Sequence, residues 1–317
     1  MKFLRIDPMD SCIDTMLQAA GHEVRVFLPP DEPSFIEALQ ESEGLILRSR
    51  FKLTAELLQK APSLKLIGRA GSGLESIDLE AATNLGIHVV NSPEGNRDAV
   101  GEHCVALLLG LLKKIPAAHH AVSNGVWDRQ AYTGSDLYGK TIGIVGFGNT
   151  GKAFARRIQG FGVRVVAYDK YRSGPFPYQV QELSFEALLD EVDVLSFHLP
   201  LADDTRHVFS FSMLEKLAKP CYLINTSRGQ VVDNRALLQG LTSGKILGAG
   251  LDVLEAESHR YLVEDNNKGM VRELARFPNV ILTPHVAGIS PASLKGIAEV
   301  LACKLMNLPL PQRYRAD

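Results

Sequence analysis

Short apolar runs alternate with stretches of helical spacing along almost all of this 317-residue chain, and that alternation restricts its fold more than any other feature. FLRI (3–6), EVRVF (23–27), GLIL (44–47), KLIG (65–68) and HVV (88–90) are β-branched or leucine-rich and bounded by turn residues. Between them Ile13, Met16, Leu17 and Ala20, then Phe35, Ile36 and Leu39, recur at helical spacing. Strand, helix, strand in this rhythm predicts a parallel sheet covered on both faces. Gly21, Gly44 and Gly86 fall where helices would end and turn back toward a strand. A second series supplies six more candidate strands: IGIVGF (142–147), VRVVAY (163–168), VDVLSF (192–197), CYLIN (221–225), ILGAGLDV (246–253) and VILT (280–283). Two series imply two sheets, and a chain of this length suggests two domains at about 150 residues each. Residues 97–122 read as one long helix and 290–306 as another, each linking the two lobes. The expectation is therefore α/β: two doubly wound parallel-sheet domains, one discontinuous (1–96 and 289–317) and one continuous (97–288).

Composition narrows the function classes. A hydrophobic fraction of 45% is enough for two cores. Lys+Arg total 34 against 36 Asp+Glu, so no basic stripe recommends nucleic acid and no acidic block suggests a disordered tail. Cys12, Cys104, Cys221 and Cys303 lie far apart, the usage of reduced core thiols rather than of a disulfide framework or zinc site. No metal is expected. The opening MKFLRIDPMD places Asp7, Pro8 and Asp10 where a signal peptide would need an apolar run. No apolar stretch reaches the about 18 residues of a membrane span, so a cytoplasmic protein is expected, without membrane partners. The wettest stretch, 255–269, reads as a surface loop.

The strongest local signal is Gly146-Phe147-Gly148-Asn149-Thr150-Gly151. A lone G-x-G-x-x-G is weak evidence, because glycine-rich turns are common. Here it follows the strand IGIV and opens a helix beginning KAFARRIQ, the context the motif requires. Gly146 permits the tight turn, Gly148 lets backbone approach a pyrophosphate, and Gly151 lets the helix pack close to its strand. About 20 residues on, Tyr168-Asp169 ends the next strand, where an acid takes a ribose 2′-OH. A carboxylate there repels a 2′-phosphate, so NAD is favoured over NADP, although Lys170 and Arg172 would soften the repulsion. Downstream, Asn225-Thr226-Ser227-Arg228-Gly229, Gly250-Leu251-Asp252-Val253 and Thr283-Pro284-His285-Val286-Ala287-Gly288 put an Arg, an Asp and a His at successive strand ends. Each alone is bland: an ion-paired Arg, a turn-capping Asp, a satisfied loop His. Together, after a dinucleotide fingerprint, they point to one site.

These motifs, in this order, resemble the D-isomer-specific 2-hydroxyacid dehydrogenase family over nearly the whole chain. Gly68-Arg69-Ala70-Gly71-Ser72-Gly73 with Ile77-Asp78 is similar to that family's substrate loop. Val89-Val90-Asn91-Ser92-Pro93 with Gly95-Asn96 is similar to its hinge, with Glu102 in the helix behind. Trp127 through Lys140 and His198-Leu199-Pro200 also follow in the family's order. The resemblance implies a flavodoxin-like substrate lobe, a Rossmann lobe and hydride transfer between NAD(H) and a D-2-hydroxy acid. It implies that Arg228 holds the substrate carboxylate and polarises the ketone, and that His285 exchanges the proton. Its orienting glutamate maps to Glu257. Ser72 and Gly73 would offer N–H groups to the carboxylate, and Asp252 would accept from the nicotinamide carboxamide. The fingerprint residues, Asp169, His198, Leu199, Pro200, Thr226, Ser227, Ala287 and Gly288 would complete the cofactor site. Ser258-His259-Arg260 stands where the family usually has proline, which leaves Glu255 as a competitor for the supporting role.

Arg48 and Arg69 follow predicted strands, and Arg129 lies in the arm after Trp127. Arginines beyond Arg228 suggest a second anion on the substrate, and a phosphate suits their forked donors. The expected pair is 3-phosphoglycerate and 3-phosphohydroxypyruvate, a step of serine biosynthesis. The alternative is a small unphosphorylated acid such as glycerate or glyoxylate. Helix 97–122 and the Trp127 arm resemble the family's homodimer surface, and a C-terminal regulatory domain found in some members is expected to be absent. A rival of another class is an NAD-sensing corepressor-like binding module. Formate dehydrogenase would have glutamine where Glu257 stands.

Overall fold

The computed structural model describes residues 1–28, 31–257 and 268–315. The chain divides into two compact units, Met1–Arg97 with Ile289–Asp317, and Asp98–Gly288. The first is built on a five-stranded parallel sheet of β1 (Lys2–Arg5), β2 (Glu23–Val26), β3 (Gly44–Leu47), β4 (Leu66–Arg69) and β5 (His88–Asn91), ordered β2-β1-β3-β4-β5. This is the flavodoxin-like order, with its reversal between β1 and β3. Alternate side chains divide between two cores. Leu4, Leu45 and Leu47 join one cluster with Phe35 and Leu39, whereas Phe3 and Ile46 join the other with Ile13, Leu301 and Leu305. Strands buried on both faces read as continuous apolar runs, which is why GLIL is legible as a strand.

The second unit carries seven parallel strands: β6 (Thr141–Val145), β7 (Arg164–Tyr168), β8 (Gln181–Glu182), β9 (Val194–Phe197), β10 (Cys221–Asn225), β11 (Ile246–Leu251) and β12 (Val280–Leu282). Their order, β12-β11-β10-β9-β6-β7-β8, is that of the doubly wound dinucleotide-binding fold, with the reversal between β6 and β9. The register sets Ile142 beside Val165 and Val194, so the three carboxyl ends line up. Alternation again splits the core: Ile142, Ile144 and Val165 lie in one cluster, Val145, Val166 and Phe197 in the other. The seventh strand, β8, was not expected; it is two exposed polar residues at the sheet edge, too short to show a period.

The stretch 97–122 is not one helix. It forms Arg97–Leu112 and Ile115–Ser123, bent by 59°. Pro116 lacks the N–H that would return to the Leu112 carbonyl, and its ring would clash with that oxygen. The Leu112 carbonyl accepts from Ser135 N–H instead (2.9 Å), and Lys114 turns the chain with φ +52°. Among the described residues no single helix is long and apolar enough to cross a membrane. The C-terminal helix Pro291–Leu305 opens on a Ser290–Ser293 capping box and packs in the first unit, where Leu301 and Leu305 press on the bare Cα of Gly68. The expected surface loop 255–269, with Ser258, His259 and Arg260, lies largely outside the described residues.

Candidate active site

β6 ends in a turn that only glycine permits. Gly146 has φ +91°, and a Cβ there would come within 2.5 Å of the His198 carbonyl oxygen. At Gly151 a Cβ would lie 2.2 Å from the Gly146 oxygen, so the helix Asn149–Ile158 could not seat against β6. Gly148 differs from both: a Cβ there meets no protein atom within 4 Å. Its missing side chain therefore keeps open the approach to the helix N-terminus. That first turn holds no acidic residue, and its unpaired N–H groups and dipole suit an anion. This cradle fits a dinucleotide pyrophosphate.

Asp169, just past β7, ties three loop amides. One carboxylate oxygen accepts from Phe147 N–H (2.7 Å), and the other from Tyr171 (2.9 Å) and Arg172 (3.1 Å) N–H. A carboxylate has about four lone-pair sites, so capacity is left for a ribose hydroxyl. Lys170, expected to soften the repulsion of a 2′-phosphate, turns instead to Asp204 (2.6 Å). His198 faces inward: its ring nitrogens meet Ser196 Oγ (2.9 Å) and Thr150 Oγ1 (3.1 Å), and its ring stacks on Phe154. Burial pushes its pKa down to about 3, so the ring is neutral and joins β9 to the fingerprint helix. Only the backbone of His198, with Leu199 and Pro200, remains to meet a cofactor; its ring belongs to the fold.

The strand ends β10, β11 and β12 carry the polar loops. Asn225 Oδ1 accepts from Ser227 N–H (3.1 Å) and Oγ (2.8 Å), while its amide donates to the Arg228 carbonyl (2.9 Å). Arg228 is half-buried, with Nη1 on the Ser227 carbonyl (2.7 Å). Thr226 Oγ1 lies 3.2 Å from the buried Cys104 thiol, whose pKa burial raises to about 12, an inert group. Asp252 is 0% exposed and clamps the last loop: it accepts from Thr283 Oγ1 (2.6 Å), Val286 N–H (2.9 Å) and Ala287 N–H (2.8 Å). Three protein donors leave one lone-pair site at most for a carboxamide. The Thr283 hydroxyl donates its one hydrogen bond to Asp252, so in the contact with His103 Nε2 (3.0 Å) the imidazole N–H is the donor.

His285, held at φ +56° by its N–H to the Asp252 carbonyl (2.8 Å), places Nδ1 2.8 Å from Glu257 Oε2. Glu257 Oε1 is fixed by Leu254 N–H (2.9 Å). Glu255 turns the other way, to His207 Nε2 (2.6 Å). The two acids on this turn thus serve different histidines. Sequence reasoning missed Asn225, His103 and Thr283 as supports. Asn225 and Thr283 stood within the strand-end segments, but nothing local links His103 to a residue 180 positions away.

In the first unit, Arg48 follows β3, half-buried, its N–H on the Asp7 carboxylate (2.6 Å). The loop after β4 is stapled to residues 91–96: Gly71 and Ser92 exchange backbone and hydroxyl bonds, Asn91 Nδ2 donates to the Ser72 carbonyl (2.6 Å), and Ser72 Oγ to Asn96 Oδ1 (3.1 Å). The Ser72 and Gly73 N–H groups meet no protein acceptor among the described residues. Arg69 was expected to face substrate. It is 8% exposed, donates to its own loop at the Ala70 carbonyl (3.2 Å) and lies where a Cβ on Gly71 would stand. Arg69 therefore supports the loop. Arg129 is exposed, beside Trp127 (78% exposed).

Residues 105–287 match the model of the D-isomer specific 2-hydroxyacid dehydrogenase NAD binding domain. The chain belongs to the D-isomer specific 2-hydroxyacid dehydrogenase family. Its second unit is thus an NAD-binding domain. Among curated relatives, a D-3-phosphoglycerate dehydrogenase of Archaeoglobus fulgidus is 34% identical over 310 residues, 97% of this chain and 57% of that one. The chain spans little more than half the length of such relatives. Two solved members of the fold carry different cofactors. D-lactate dehydrogenase from Aquifex aeolicus, complexed with NAD and lactic acid, matches 96% of this chain and 94% of its own (28% identity, TM-score 0.83). An acyclic imino acid reductase in complex with NADPH and D-Arg matches 98% and 99% (26% identity, TM-score 0.83).

Proposed function

We propose that this dehydrogenase-family chain is an NAD-dependent oxidoreductase that interconverts a D-2-hydroxy acid and its 2-keto acid. The observation that carries the reading is the Glu257–His285 contact (2.8 Å) on the same domain as the fingerprint and Arg228. A carboxylate against Nδ1 requires that nitrogen to carry its proton, which leaves Nε2 to exchange a proton with substrate. When bound, NADH supplies the hydride. Arg228 binds the carboxylate and draws charge from the ketone, and His285 Nε2 donates the proton that the new alkoxide takes. In the other direction the same nitrogen removes the hydroxyl proton. His285→Ala is expected to lower kcat by about 10²–10⁴-fold. Glu257→Gln lowers kcat with NADH affinity unchanged, whereas Glu255→Gln keeps most of it. A larger loss for Glu255→Gln would move the supporting role to that residue.

The preferred substrate pair is 3-phosphoglycerate and 3-phosphohydroxypyruvate, a serine-biosynthesis step. Arg48 and Arg129 are the phosphate candidates, and the name of the Archaeoglobus relative supports the assignment. A small unphosphorylated keto acid is the second reading, favoured by the likeness to D-lactate dehydrogenase. A homodimer fits the exposed Trp127, Val126, Val122 and Ile115, and sedimentation of the purified chain tests it. Four free thiols suit the cytoplasm.

A further inference from the structure

Two relatives of one fold hold NAD and NADPH, so the choice between them lies in side chains near the ribose. In this chain Asp169 stands at that position, and the next residue, Lys170, is a cation of the kind that accommodates a 2′-phosphate. Lys170 does not stand free beside Asp169. Its Nζ lies 2.6 Å from Asp204 Oδ2, which also accepts from the Tyr171 hydroxyl (3.1 Å), while the ammonium lies 5.4 Å from the Tyr171 ring centre. Asp204 comes from the loop after β9 and Lys170 from the loop after β7, the two strands that flank β6. The bridge therefore joins the loops on either side of the fingerprint turn. Lys170 holds the Asp204 carboxyl below the usual carboxylate range, and Asp204 in turn raises Lys170.

We propose that Asp204 is a cofactor-specificity residue, which holds Lys170 away from the ribose 2′ position and leaves Asp169 to select the free hydroxyl of NAD. The bridge acts in two ways. It withdraws the nearest ammonium from a 2′-phosphate, and it ties Lys170 to the loop after β9, away from Asp169. The proposal rests on the reading of Asp169 as the ribose acid, and the test separates the two.

Binding of NADPH and NADH is measured by nicotinamide fluorescence on the purified chain. The background is Asp169→Asn, which keeps one of the two acceptor oxygens that hold the loop amides and removes the charge, so that NADPH binding becomes measurable. If Asp169→Asn alone leaves the NADH-to-NADPH preference of the wild type unmoved, the Asp169 reading fails and the Asp204 proposal fails with it. With that preference narrowed, adding Asp204→Asn is expected to tighten NADPH about 2- to 5-fold, the range an exposed ion pair supports, with NADH within about twofold. The gain should vanish when Lys170→Met is also present, because no ammonium remains to release. An equal gain with and without Lys170 would reduce Asp204 to a distant negative charge and overturn the proposal. No gain, or no detectable NADPH binding in the double variant, overturns it as well.

Discussion

His198 stands in a segment that resembles a cofactor-binding motif, yet its ring is a buried strut between Ser196 and Thr150. That placement carries a pH signature. Burial lowers its pKa from 6.5 to about 3, so between these values the unfolded chain binds a proton that the folded chain refuses. The contribution is fully present above pH 6.5 and is lost as pH falls, by up to about 1.4 kcal/mol per pH unit. Thermal stability of the wild type should therefore fall between pH 7 and pH 5.5, and His198→Gln should flatten that slope while lowering stability at pH 7. An unchanged slope in the variant would assign the effect to other groups. The same scale shows what a sequence hides. Glu255 and Glu257 are two residues apart on one turn, and composition cannot say which faces His285; the Leu254 N–H that fixes Glu257 is visible only once the turn is built. Arg69 was placed at the correct strand end, but whether its guanidinium points outward or under its own loop depends on the left-over space at Gly71. Lys170 and Asp204 lie 34 positions apart, so their bridge leaves no local trace.

Elements were more legible where burial is two-sided. GLIL, CYLIN and IGIV read as strands because a parallel sheet covered on both faces demands continuous apolar runs. Gln181–Glu182 escaped because an exposed two-residue edge carries no period. The break at Pro116 was written in the sequence, but the apolar spacing runs on through it, and spacing alone joined two helices into one. The fingerprint shows the opposite case, in which three glycines of one motif have different physical reasons. Gly151→Ala places a methyl 2.2 Å from the Gly146 oxygen and should cost about 1–3 kcal/mol of stability by overpacking. Gly148→Ala meets no protein atom, so its melting temperature should stay near wild type while NADH binding weakens. Calorimetry with a parallel NADH titration checks both; a Gly148→Ala variant that binds NADH normally would contradict the reading of that glycine as the approach for the pyrophosphate.

At the scale of the whole molecule, the chain is a first unit with a flavodoxin-like sheet and a second with a dinucleotide-binding sheet, each with polar loops gathered at the carboxyl ends of its strands. Such loops are where open α/β sheets hold ligands, which is why the Arg228, Asp252 and His285 segments read from the sequence as one candidate site. The substrate was less readable, because one fold is shared by a D-lactate dehydrogenase and a glyoxylate reductase, and the arginines that would tell substrates apart are defined by orientation. The proposed chemistry is nonetheless specific about cofactor, reacting group and handedness. The most direct measurement follows NADH consumption with 3-phosphohydroxypyruvate, hydroxypyruvate and glyoxylate, and determines the configuration of each chiral product. NADH should be consumed, the chiral products should be D, the phosphorylated ketone should have the highest kcat/KM, and His285→Ala should abolish most of this turnover while still binding NADH. An L product, or tight NADH binding with no turnover of any 2-keto acid, would contradict the proposed chemistry.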